Sequence, residues 1–211
     1  MTHIGVIFVP ASRRYVNPEA ARVMLQSVTP RCTVMGVFVN SAEAELHAAL
    51  AASGVQGVQL HGDESPDVCQ RLRGDGYTVW KSLSVPAQPT RAEVDALVHE
   101  ITVFAACTDA ILLDTAAPPD ATPGQTGGHG LTFDWSSLVL LRQRLSANGV
   151  ETPLWIAGGL RPDNVGALLA QVDVDGVDVS SGVELDGRKS LNKIQDMVKV
   201  VSGHERSYRI S

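Results

Sequence analysis

The chain has 211 residues, a formal net charge of −6, 44% hydrophobic and 19% charged residues, which suffices for one buried core and shows no compositional break that would mark a second. Lys and Arg are spread rather than clustered, so no electrostatic footprint for nucleic acid is present. No apolar run approaches the ~18 residues of a membrane span, and the opening MTHIGVIFVP lacks the basic flank and cleavage site of a secretory signal, so a cytoplasmic protein without a membrane partner is expected.

In chain order, short β-branched runs alternate with stretches of helical spacing. The first strand is expected at HIGVIFV (3–9), and Asn17, Pro18 and Glu19 open the helix after it, an N-cap followed by proline at the first helical position. Strands follow at TVMGVFVN (33–40), GVQLHG (57–62) and TVWKSLSV (78–85), the last succeeded by Thr90 and Glu93 at capping-box spacing. AILLDT (110–115), PLWIAGG (153–159) and GVDVSSG (176–182) complete seven strand candidates, with Arg161-Pro162 set ahead of the penultimate helix. Near-continuous apolar strands require a sheet covered on both faces, so the expectation is one α/β domain over 1–202, either a barrel or an open doubly wound sheet, and a C-terminal tail over 203–211.

One connection, AAPPDATPGQTGGHGLT (116–132), is far longer than the ~2–6 residues usual for such loops. Leaving directly from Asp114-Thr115, it reads as a lid, and a plain surface excursion fits the same statistics. The three cysteines, Cys32, Cys69 and Cys107, form an odd set without C-x-x-C spacing, against both a disulfide framework and a zinc site. Six dispersed histidines form no recognisable metal cluster, and phosphate-loop, zinc-protease and nucleophile-elbow motifs are missing. No metal and no nucleotide cofactor are expected.

Ligand sites in parallel β/α folds gather at the carboxyl ends of the strands. The polar residues there are Arg13 and Arg14, Asn40, Gln59 and His61, Lys81, Asp114, Gly158-Gly159, and Asp178 with Ser180-Ser181-Gly182. Gly158 and Gly159 let backbone N–H groups approach a ligand, and Ser180, Ser181 and Gly182 add hydroxyls and a second flexible turn. On consecutive strands the two turns suit a phosphate, whereas either alone is read as a tight turn. Asp114 closes an apolar strand, where a carboxylate must be solvated, paired or functional; a general acid or base and a turn cap both remain open. His61 fits a hydrogen-bonded structural group or a catalyst. Arg14 is able to fork onto a carboxylate and Arg13 beside it is expected to face solvent, with a plain surface position open to both. Asp178 shares an orientation with Ser180, inward at the sheet mouth, as a structural hydrogen bond or a substrate contact.

The segments GVIFVPASRRYVNPEAAR, GVFVN, GVQLHGDES, ILLDT, GGHGLTFDW, IAGGLRPDNV and DVSSGVE together resemble phosphoribosylanthranilate isomerase of tryptophan biosynthesis, in that family's order and over nearly the whole chain. The resemblance implies a TIM-type (β/α) barrel and the Amadori rearrangement of N-(5-phosphoribosyl)anthranilate to 1-(2-carboxyphenylamino)-1-deoxyribulose 5-phosphate, with a small phosphorylated substrate and no cofactor. It implies Asp114 as general acid and Arg14 as ligand of the anthranilate carboxylate, and beside them His61 and Asp178, from their places at strand ends, are expected as substrate contacts. Gly158, Gly159, Ser180, Ser181 and Gly182 become the phosphate cradle.

The family's general base is a cysteine in a K-x-C-G motif on the first strand, and no such motif occurs here because Met1-Thr2-His3 aligns with the start of the second strand. Seven of the eight β-α units are therefore expected, with the general base absent and activity of the chain impaired. A start site placed too late, a degenerate protein, and two chains completing each other's edges are the alternatives considered, the first preferred because the rest of the site is intact. Open edges at 3–9 and 176–182 predict self-association or a rearranged terminus. The competing functional reading is a non-catalytic phosphate-ligand binding or interaction protein on the same scaffold.

Overall fold

The computed structural model describes residues 1–28, 32–117 and 132–208, without the side chains of 205–208. The long loop singled out as a lid thus lies, for its greater part, outside the described residues. Strands and helices alternate: β1 (His3–Ile7), α1 (Pro18–Leu25), β2 (Thr33–Phe38), α2 (Glu43–Ser53), β3 (Gly57–Leu60), α3 (Pro66–Gly74), β4 (Thr78–Val85), α4 (Arg91–Ala105) and β5 (Ala110–Thr115). After the loop come α5 (Ser136–Ala147), β6 (Leu154–Ile156), α6 (Val165–Gln171), β7 (Gly176–Val177), a 3-10 turn (Ser181–Val183), a small hairpin of β8 (Glu184–Leu185) and β9 (Arg188–Lys189), and α7 (Leu191–Tyr208).

Seven strands form one sheet in the order β1-β2-β3-β4-β5-β6-β7. Parallel registers run Ile7 to Val37, Phe38 to Leu60 and Gln59 to Trp80. A sequential order of parallel strands, each followed by a helix, is the winding of a TIM-type (β/α) fold and not of a doubly wound sheet, whose order reverses at a switch point. Every residue of β3 is buried, and β5 is buried up to Asp114. At the two ends of the order, β1 and β7 are only half-buried.

The chain divides into two compact units. The first comprises Met1–Leu83 and Val103–Ile111, and its interior is filled by Met35, Phe38, Leu46, Leu50, Val58, Leu60 and Leu72. The second comprises Ser84–Thr102 and, among the described residues, 112–117 and 132–208. Its interior holds Ile101, Leu112, Leu113, Leu138 and Leu141, and a cluster of Val165, Leu169, Val183 and Met197 joins α6 and α7.

Local chemistry explains the helix starts. The Asn17 side chain accepts a hydrogen bond from the Ala20 amide at 3.1 Å, with Pro18 beginning α1. Glu93 accepts from the Thr90 amide at 2.7 Å while Thr90 Oγ1 accepts from the Glu93 amide at 3.3 Å, a closed capping box. The start expected at Arg161-Pro162 is corrected: α6 begins at Val165, because Asn164 Oδ1 accepts from the Arg161 amide at 2.7 Å and holds the intervening residues in a turn. Residues 203–208, set apart in sequence as a tail, continue α7. The β8–β9 hairpin turns on Asp186 and Gly187, both at positive φ (50° and 76°), the Asp-Gly pairing that a two-residue hairpin favours.

After β1 the chain folds back. Tyr15 bridges Ile7 in parallel, and the Val16 amide donates to the Ile7 carbonyl at 2.9 Å. Since Ile7 already pairs with Val37 of β2, residues 15 and 16 lie against the other side of β1 and cover its carboxyl end.

Candidate functional site

In the first unit, alternation along β3 puts Gln59 and His61 on one face. Gln59 Nε2 donates to His61 Nδ1 and to Ser82 Oγ of β4, each at 3.2 Å. Gln59 and Ser82 are buried and His61 is half-buried. Lys81, next to Ser82, points to the opposite face, where its ammonium lies 5.6 Å from the centre of the Phe104 ring on α4.

The Lys81 ammonium donates to the Gly62 carbonyl and pairs with Glu64 at 2.9 Å, both side chains being almost wholly buried. Glu64 also accepts from the amides of Asn40 at 2.8 Å and Gly62 at 2.9 Å. Asn40 in turn accepts from the Asp63 amide and stands at φ 49°, a conformation asparagine tolerates better than most residues. This network ties the loops after β2 and β3 to β4 behind His61. Burial opposes the charge on Glu64, but the Lys81 ammonium and the backbone amides outweigh it and hold the carboxyl below its ordinary range.

Arg14 sits half-buried just before the Tyr15 bridge, its amide donating to Ser12 Oγ at 3.2 Å, while Arg13 is exposed. Of the thiols, Cys69 is buried in α3 and burial pushes it up to about 12, with Cys107 beside it adding to the rise. Burial also raises Cys107, which precedes β5, and Cys32 precedes β2. None of the three stands at the carboxyl end of a strand.

In the second unit, Asp114 is buried one residue from the end of β5. Backbone bonds align the neighbouring strand ends: the Ala116 amide donates to Val85 at 2.8 Å and the Ala157 amide to Leu113 at 2.7 Å. Gly158 and Gly159 take φ values of 85° and 59°, and a Cβ on Gly158 would stand 2.7 Å from the Thr115 amide nitrogen. Glycine is required there by conformation and by space. The Asn164 amide group donates to the Gly159 carbonyl at 3.1 Å and shapes the turn from behind.

Gly182 packs on the Leu160 carbonyl, so the turns after β6 and β7 form one layer. Lys189, on β9, donates to the Ser180 carbonyl at 2.8 Å and pairs with Glu184 at 3.3 Å. A peptide carbonyl and the following N–H point in opposite directions, so this contact turns the Ser181 N–H away from Lys189. Thr115 Oγ1, beside Gly158, is buried and meets no hydrogen-bond partner among the described residues. Val177 and Val179 pack on the α6–α7 cluster, which sends Asp178 to the other sheet face, where it is exposed and its amide donates to Ile156 at 2.9 Å.

The expected residues thus fall within their units as two groups, Arg14 and His61 in the first, and Asp114, Asp178 and the two glycine-bearing turns in the second. Sequence reading missed Glu64 and Lys189. Nothing local marks Glu64, and the Asp-Gly hairpin that carries Lys189 back to Ser180 was the available signal.

No helix among the described residues is long and apolar enough to cross a membrane, and no cluster of His, Cys, Asp and Glu among them has the form of a metal site. The class this defines is a TIM-type (β/α) protein with its polar residues concentrated at strand carboxyl ends. The family model for N-(5'-phosphoribosyl)anthranilate isomerase matches residues 1–200, and the chain belongs to that family. It is 37% identical over 205 residues to the isomerase of Brevibacillus brevis, covering 97% of this chain and 85% of the relative. The Myxococcus xanthus enzyme is 37% identical over 199 residues, covering 93% and 84%. Among solved structures, the phosphoribosyl anthranilate isomerase of Thermotoga maritima superposes with a TM-score of 0.76 at 31% identity, covering 96% of this chain and 88% of that one. A phosphoribosyl anthranilate isomerase in complex with reduced 1-(o-carboxyphenylamino)-1-deoxyribulose 5-phosphate superposes with a TM-score of 0.74 at 29% identity, with the same coverage.

Proposed function

We propose that this chain is the scaffold of a cytoplasmic isomerase for N-(5'-phosphoribosyl)anthranilate in tryptophan biosynthesis. The observation that carries the reading is the buried Asp114 carboxylate at the end of β5 in the same unit as the stacked glycine turns at 158–159 and 180–182. Asp114 is the general acid that protonates the ring oxygen and opens the sugar. A base then takes the C2 proton, and the enolamine ketonises. Arg14 holds the anthranilate carboxylate, with His61 and Asp178 as further substrate contacts. Backbone N–H groups at Gly158, Gly159 and Gly182 and the hydroxyls of Ser180 and Ser181 take the phosphate. No step calls for a cofactor.

In this reading the 211 residues supply the acid and no thiol base, because Cys32, Cys69 and Cys107 are all placed away from strand carboxyl ends. A form that carries a strand with a K-x-C-G motif ahead of His3 therefore turns over substrate faster than the 211 residues alone. The test is turnover of N-(5'-phosphoribosyl)anthranilate by both forms. Asp114→Asn in the extended form lowers kcat by about 10²-fold or more. An extended form that binds the phosphorylated ligand without turning over substrate would favour a non-catalytic binding protein. The half-buried end strands β1 and β7 support self-association through sheet edges, read by the mass in solution.

A further inference from the structure

The amide nitrogen of Gln59 contacts two groups at once, His61 Nδ1 and Ser82 Oγ, each at 3.2 Å. A primary amide nitrogen carries two hydrogens and accepts none. Both are used here, so Nδ1 of His61 is an acceptor and the neutral ring carries its hydrogen on Nε2. Gln59 and Ser82 are 7% and 6% exposed, among the buried Val58, Leu60, Val79, Trp80 and Leu83 of the same two strands. Burying two uncharged polar side chains is unfavourable unless they are hydrogen-bonded, and here each satisfies the other.

We infer that Ser82 and Gln59 are positioning residues that fix His61 as the Nε2–H tautomer, making it a neutral hydrogen-bond donor to an oxygen of the ligand and not a proton acceptor at Nε2. The inference rests on the isomerase reading for its ligand, and it deepens that reading. Held in this tautomer, His61 is no base through Nε2, and its part is to orient the substrate. The relay is local to one unit: His61 follows the end of β3 two residues after Gln59, and Ser82 stands on β4 two residues beyond Trp80, the register partner of Gln59.

The test uses the 211-residue chain itself. Long-range nitrogen–proton NMR of the His61 ring, at a pH where the ring is neutral, is expected to show an unprotonated Nδ1 and a protonated Nε2. Gln59→Glu, which offers only acceptors, is expected to place a proton on Nδ1. Gln59→Leu and the milder Ser82→Ala are expected to give tautomer mixtures and to weaken binding of reduced 1-(o-carboxyphenylamino)-1-deoxyribulose 5-phosphate by about tenfold and about threefold, the scale of one misdirected hydrogen bond. A protonated Nδ1 in the unaltered chain, or an unchanged tautomer in Gln59→Leu, overturns the inference. If the tautomers behave as expected but no form binds the ligand, the isomerase reading fails and the relay stands.

Discussion

Gly182 lies against the main-chain carbonyl of Leu160 so closely that a Cβ on it would overlap the Leu160 oxygen. The turn after β7 can rest on the turn after β6 only with a hydrogen at this position. Gly182→Ala should therefore destabilise by about 1–3 kcal/mol as the two turns are forced apart, read from chemical denaturation. Gly203→Ala is the control: a Cβ there meets nothing within 4 Å in α7, so this change should stabilise by about 0.5–1 kcal/mol.

The buried Lys81–Glu64 pair makes a prediction with a sign. Lys81→Met leaves the Glu64 carboxylate buried without its cation and should cost about 3–5 kcal/mol, most of it recovered by adding Glu64→Gln. Glu64 titrates lower in the folded chain than in the unfolded one. Its contribution is therefore complete above the unfolded value and is lost as the pH falls through the folded one. Stability measured on acidification below about 4.3 should decline in the unaltered chain and decline less in Glu64→Gln.

Thiol reactivity should divide the cysteines. Cys69, pushed up to about 12 and fully buried, has almost no thiolate at neutral pH, and Cys107 is buried with its thiol raised. Only the half-buried Cys32 should react with a thiol reagent in the folded chain at pH 8, with all three reacting in denaturant. Mass spectrometry of the labelled peptides checks this.

Arg14, half-buried ahead of the Tyr15 bridge, should matter for binding more than for chemistry. In a form that turns over, Arg14→Met should raise KM by about 10–100-fold, the loss of a charged hydrogen bond, with kcat changed much less. Arg13→Met, at an exposed position, should leave both within a factor of about two, as is usual for surface changes.

The alternation of β4 and β5 with their helices was legible because long apolar, β-branched runs and side-chain caps are local properties. Both strands begin and end where the sequence places them, and Asn17 and Thr90 cap the helices they announce. Weaker strands were read too long: only Gly176 and Val177 of 176–182 pair, since the Ser-Ser-Gly run leaves the sheet for a 3-10 turn. Positions of the site residues at strand ends followed from the same alternation.

By itself, then, the sequence determined the β/α order, the family through its spaced motifs, and the addresses of Asp114, His61 and the glycine turns. Only the tertiary structure decided what these residues touch. Gln59 meets Ser82, and Lys81 meets Glu64, because the register sets Gln59 beside Trp80 and Leu60 beside Lys81; a slip of one residue would turn each side chain to the other face. Lys189 reaches Ser180 only once the Asp186-Gly187 turn has folded the hairpin back. Local periodicity records which residues are apolar and how often. Contacts between strands depend on register and on loops closing through space, which no window along the chain contains.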